Sequence, residues 1–191
     1  MSAHVTTDLA RRRFTAEEYE RMGTTGILGE DDRVELLDGE IVRMTPIGPV
    51  HAGVVNRLTR LLVQRLGERA VVTVQNPIRI TPYSEPQPDL ALLRPRPDFY
   101  QLAHPEPSDV LLVIEVADSS ITIDRTLKIP VYALAEIPEV WLVDLAGRRV
   151  LVNREPKGDG YTRNDTAGPG DTLHPAAFDD IALAVEEILG V

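Results

Sequence analysis

Three carboxylates in this sequence stand where carboxylates are costly. Glu115 interrupts the apolar run "DVLLVIEVADSS" at residues 109–120, with Leu111, Leu112, Val113, Ile114 and Val116 around it. An unpaired ionised carboxylate in a strand buried on both faces costs several kcal/mol or stays protonated, so the position implies a cationic partner. Asp89 lies in "QPDLALL" and Glu35 in "RVELLDGE", each again among apolar neighbours. Oxygen ligands at fixed positions on rigid elements suit Mg²⁺ or Mn²⁺, cations that keep several waters and bridge to a phosphate. The competing reading is that each acid points to solvent from an edge or a half-exposed face. The apolar residues on both sides of Glu115 weigh against it.

The elements that must position these acids are visible in the pattern. "FTAEEYERM" offers Thr15 as an N-cap with Glu18 as its capping-box partner, which predicts a short helix. "RVELLDGEIVRM" is two apolar-rich runs around Asp38-Gly39, a strong hairpin signal. Val54, Val55, Leu58, Leu61, Leu62 and Leu66 recur at helical spacing and stop at Gly67. Strands are expected over 71–80, 88–93 and 110–117, with the proline-rich 94–108 as a surface loop. A helix follows over 124–135, in which Pro130 removes a donor and predicts a kink or a late start. "EVWLVDLAGRRVLVNR" reads as a second hairpin turning at Ala146-Gly147, with Trp141 as a core aromatic. Residues 155–172 read as an exposed loop, and "DDIALAVEEIL" as a short amphipathic helix or strand-helix edge.

This order predicts one mixed sheet with helices packed on it, an α/β (α+β) fold with additional β-hairpins. Residues 1–13 read as a flexible arm whose Arg11, Arg12 and Arg13 form a solvated basic run, and 14–191 as a single domain. At 191 residues the chain can bury a real core. No apolar run approaches the roughly 18 residues of a membrane helix, and the first residues lack the apolar segment of a secretory signal. The absence of cysteine excludes disulfides and thiolate metal sites, which fits a cytoplasmic protein. A formal net charge of −10 argues against a simple electrostatic nucleic-acid binder, but not against an enzyme that gathers carboxylates around cations.

Pro88-Asp89 followed by Glu115 in a second apolar strand resembles the PD-(D/E)XK nuclease superfamily. More narrowly, the chain resembles its restriction-endonuclease-like family that was formerly described only as a bacterial domain of unknown function. The resemblance is carried, in order, by "RVELLDGEIV", "QPDLALL", "VIEVADSS", "DRTLKIPVYA" and "IPEVWLVD", and spans about residues 14 to 153. It implies a restriction-endonuclease-like fold, with a mixed four-stranded core sheet flanked by helices, and metal-dependent cleavage of DNA phosphodiesters. By the same resemblance Glu35, Asp89 and Glu115 are metal ligands for Mg²⁺ or Mn²⁺, and these three with Lys128 are the catalytic residues.

The superfamily's lysine place, two residues after the glutamate, holds Ala117, and Lys128 on the next helix fills the role in this family. A long ammonium arm can reach a site from a neighbouring element, there to orient water or offset phosphate charge. The plainer alternative pairs Lys128 with Asp124 one turn earlier. Tyr132, one turn on, is either a partner of the lysine or phosphate or a core tyrosine with a satisfied hydroxyl. His51 is a possible donor to a metal-bound carboxylate or water, or else a surface or capping histidine. Gln75, at a strand edge facing the site, is a possible substrate contact. Glu136 occupies a turn where the family tends to have glycine. His4, His104 and His174 carry no signal. The expected substrate is DNA and the expected assembly a homodimer, since two copies on a two-fold axis can cut both strands. The rival function is a non-cleaving binding or assembly module on the same fold. A glycosidase-like carboxylate pair finds little support in an aromatic content of 5%.

Overall fold

The computed structural model describes residues 11–29, 31–118 and 121–191. Residues 1–10 of the expected arm lie outside them. Arg11, Arg12 and Arg13 form ion pairs with Glu40, Glu18 and Asp38 while their side chains stay largely exposed to solvent.

A six-stranded mixed sheet organises the molecule, in the order β3-β4-β5-β6-β7-β8. Its strands are β3 (Val71–Val74), β4 (Leu90–Leu93), β5 (Val110–Ala117), β6 (Glu139–Asp144), β7 (Arg149–Lys157) and β8 (Gly160–Ala167). Every neighbouring pair is antiparallel except β5 and β6. That parallel pair needs a crossover, supplied by α3 (Ile121–Ile123), a π-helical turn (Asp124–Lys128) and α4 (Ile129–Leu134). Pro130, in the first turn of α4, has no backbone donor, which accounts for the wide turn placed just before it. The resemblance implied four core strands; β7 and β8 belong to the same sheet, and much of the segment expected as a loop over 155–172 is strand. Its polar residues reflect an exposed edge rather than irregular chain.

Ahead of the sheet, α1 (Ala16–Thr24) begins with the capping box of Thr15 and Glu18. The hairpin of β1 (Val34–Leu37) and β2 (Glu40–Arg43) turns through Asp38 and Gly39, both at positive φ, as a type I′ turn requires. A Cβ at Gly39 would lie 2.5 Å from that of Arg13, so close approach fixes glycine there as well. Helix α2 (Pro49–Leu66) lays Val54, Leu58 and Leu62 on one face of the sheet. Leu112, Ile114 and Val116 meet it, and α5 (Val185–Leu189), which follows the short pair β9 (Thr172–Leu173) and β10 (Leu183–Ala184), closes that layer. On the other face Val113 packs with Tyr132, Ala133 and Ile137. The alternation along β5 therefore assigns Glu115 to the α4 side.

The strand expected over 71–80 ends at Val74, because Gln75 turns into the left-handed region at φ 52 and its amide bonds the Asp89 carbonyl at 3.1 Å. Glu136 likewise sits at φ 57, in the left-handed region that glycine adopts most easily. No helix among the described residues is long and apolar enough to cross a membrane.

Glu139 at the start of β6 is fully buried and locks the sheet to the chain's last third. It accepts from Trp141 Nε1 at 2.7 Å, Arg154 Nε at 2.7 Å and the Ala176 amide at 2.6 Å. Glu139→Ala strips the half-buried Arg154 guanidinium and a buried indole of their acceptor at once. Urea denaturation should show a loss of about 3–5 kcal/mol. A loss below about 1 kcal/mol would mean that this network does not hold the sheet.

Candidate active site

Lys128 is the centre of a desolvated ion cluster. Its Nζ lies 3.1 Å from Glu35 Oε2 and 3.2 Å from Glu115 Oε1. Lys128, Glu35 and Glu115 are only 6%, 3% and 2% exposed. The Tyr132 hydroxyl donates to the same Glu115 oxygen at 2.7 Å, so the tyrosine is both a core residue and a partner of the site. Glu35 arrives from the β1–β2 hairpin and also accepts from the Gln87 amide at 3.2 Å. Beside the electrostatic pull of Asp124, the partner that the helix spacing suggested, Lys128 makes close contacts to two distant segments. Asp124 itself is buried and lines the same cleft, a site position that sequence spacing marked only as a possible lysine partner.

Asp89 sits beside this cluster in a different setting. Its Oδ2 accepts from the Val116 amide at 2.9 Å and from His51 Nε2 at 2.9 Å, and its Oδ1 accepts from Gln75 Nε2 at 3.2 Å. The Asp89 amide points to Glu115 Oε2 at 3.4 Å. His51 is therefore an orienting partner of Asp89, not a surface or capping histidine. One ring nitrogen serves the carboxylate; Nδ1 is buried without a partner among the described residues. Gln75 reaches the site by gripping Asp89, through the turn that ends β3.

Environment separates the acids electrostatically. Burial pushes the Glu115 carboxyl up to about 8, against the pull of the Lys128 ammonium. Burial alone would raise Asp89 too, but the bonds from His51, Val116 and Gln75 outweigh it and hold Asp89 below the usual carboxylate range. For Lys128, burial is overcome by the carboxylates of Glu115, Glu35 and Asp124, and its pKa is raised. The hydrogen bond to Asp89 raises that of His51.

Glu35, Asp89, Glu115, Lys128 and His51 all line one cleft of about 170 Å³. That is room enough for a phosphate group with a few waters. The donor set fits a hard divalent cation, which takes carboxylate oxygens from rigid elements and retains water. Among the described residues the three acids are not drawn into a tight cage. The one group whose ligand atoms all lie within 4.8 Å of one another is Glu20, Glu85 and His104, outside this cleft. Arg79 already binds both of those carboxylates.

A family model described as "Uma2: Putative restriction endonuclease" matches residues 16–186. The chain belongs to this family. A solved structure described as a "putative nuclease belonging to DUF820 from Anabaena variabilis ATCC 29413" is similar to this Uma2-family chain with a TM-score of 0.73. The match covers 93% of this chain and 98% of that one at 15% identity, so the likeness is one of fold. A comparison with curated proteins finds no match.

Lys128→Met should leave Glu35 and Glu115 facing one another without a cation. A destabilisation of about 3–5 kcal/mol is expected by chemical denaturation. In a Glu35→Gln, Glu115→Gln background the same change should cost much less, as a double-mutant cycle. Equal losses in both backgrounds would show that the lysine acts only by packing.

Proposed function

We propose that the protein is a metal-dependent endonuclease that hydrolyses DNA phosphodiesters. The observation that carries this reading is the convergence of Glu35, Asp89, Glu115 and Lys128, from four separate segments, on one phosphate-sized cleft. Asp89 and Glu115, with Glu35, would hold Mg²⁺ or Mn²⁺. When bound, such a cation supplies Lewis acidity and a water of lowered pKa.

The protein's own groups do the rest. Lys128 carries a fixed ammonium to the cleft, where it offsets charge that develops on the phosphate oxygens. Tyr132 holds Glu115, while His51 and Gln75 hold Asp89 from both of its oxygens; such partners fix the direction of a ligand's lone pairs. The substrate assignment to DNA follows the family's description as restriction endonucleases. A two-fold homodimer in the cytoplasm would let two such clefts address both strands.

One observation favours a second reading, a non-cleaving module on the same fold. The Lys128 contacts to Glu35 and Glu115 already offset the buried charges, so the acids have a structural reason to be there.

Two measurements separate these readings. Mg²⁺ or Mn²⁺ should raise the wild-type unfolding midpoint by mass action on the native state, and Asp89→Ala should remove most of the increment. An equal response in both proteins would sink the ligand assignment. Wild-type protein should nick plasmid DNA with Mn²⁺, and Lys128→Ala, assayed well below its own midpoint, should nick about a hundredfold more slowly while still responding to metal. Lys128→Arg should rescue poorly, since a planar guanidinium does not fit between two carboxylates spaced for an ammonium. Absence of wild-type nicking across metals and DNA forms would favour the non-cleaving module.

A further inference from the structure

The catalytic cleft is lined by two cations that its own acids do not use. Arg33 and Arg43 both border it, both are exposed, and among the described residues neither side chain makes an ion pair or a hydrogen bond. Some arginines elsewhere are taken up by carboxylates, as Arg65 is by Glu187 and Arg154 by Glu139, and others such as Arg57 and Arg60 make no ion pair, but among the described arginines Arg33 and Arg43 alone line this cleft. Lys128, the other cation of the cleft lining, is fully engaged by Glu35 and Glu115.

The hairpin fixes where the two arginines stand. Arg43 pairs in register with Val34, and the Met44 amide bonds the Arg33 carbonyl at 2.8 Å, so both arginines occupy the open end of the β1–β2 ladder. Arg33, just ahead of β1, lies two residues before Glu35 and hence on its side of the hairpin, roughly 7 Å further along the chain, whereas Arg43, opposite Val34, belongs to the other side and borders the cleft at the end of the ladder. The charge of Arg33 is close enough to oppose protonation of His51.

A polyanion that brings one phosphate to the buried acids must lay its neighbouring phosphates at that mouth. Consecutive phosphates of one strand are separated by a distance of the same order as this spacing, and a guanidinium fork matches phosphate oxygens in two-toothed fashion. We infer that Arg33 and Arg43 bind the non-scissile phosphates next to the cleaved one and so position the strand. They are positioning residues for a nucleic-acid backbone, and this rests on the nuclease reading given above. It also resolves how so acidic a protein accepts a polyanion: the positive charge is concentrated at one hairpin end instead of being spread over a surface.

The test is the salt dependence of binding. Fluorescence anisotropy of a labelled 20-base-pair DNA duplex, with Ca²⁺ present, gives Kd from about 50 to 300 mM salt. Each arginine that neutralises a phosphate contributes about 0.9 to the slope of log K against log salt. Arg33→Ala and Arg43→Ala should each lower the slope by about one and weaken binding roughly tenfold at low salt, and the double variant should lower it by about two. Arg→Lys at either position should retain the slope. Lys157→Ala serves as the control, because β7 runs away from the cleft end of the sheet and Lys157 lies at its far terminus. In Mn²⁺ nicking assays the double variant should raise KM at least tenfold with kcat little changed, and its unfolding midpoint should match the wild type.

A wild type that binds and nicks with an undiminished slope in the double variant would overturn the arginine assignment and leave the nuclease reading intact. A wild type that binds no DNA at any salt would overturn both. A double variant that loses kcat but not affinity would also overturn it, since the arginines would then act on the reacting phosphate itself.

Discussion

A single ammonium between two buried carboxylates sets the terms for this molecule. Removing Glu35 and Glu115 from water is tolerable only because Lys128 stands 3.1 and 3.2 Å from them. That contact ties together three parts of the chain: the hairpin, the central strand β5 and the π-helical turn. The wide turn is part of the same constraint. Pro130 prevents an ordinary helix from running through Lys128, and the turn ahead of it delivers the lysine toward β5.

Asp89 is treated in the opposite way. It keeps its charge because backbone, amide and imidazole donors converge on it, and those donors come from β5, the end of β3 and the start of α2. Two neighbouring carboxyls thus live in environments that push their proton affinities apart, Glu115 upward and Asp89 downward.

The sheet beneath provides the rigidity. Both faces of β5 are covered, by α2 on one side and α4 on the other, so a side chain placed there cannot drift. Glu139 performs for the sheet's far side what Lys128 performs for the site: one buried charge, fully partnered, joins segments remote in sequence. Its surroundings in "IPEVWLVD" advertise a core strand, but no local pattern names Arg154 or Ala176 as partners.

The sequence by itself determined everything that depends on local periodicity and turn chemistry. The α1 capping box, the Asp38-Gly39 hairpin, the apolar stripe of α2 and the strand through Glu115 were all readable, because each is fixed by residues within a few positions of one another. The order of these motifs was enough to point to the family, and with it to Glu35, Asp89, Glu115 and Lys128 as a set. Only the tertiary structure decided the rest. It decided between two readings of His51 by bonding it to Asp89, ended β3 at Gln75 so that its side-chain amide could reach that same carboxylate, and made strand of a polar stretch expected as loop. It also added two long-range contacts of Lys128, to Glu35 and Glu115, that no local spacing names. In each case the deciding energy is the cost of leaving a buried charge or backbone group unpaired, and its partner lies tens of residues away, where no local pattern can specify it.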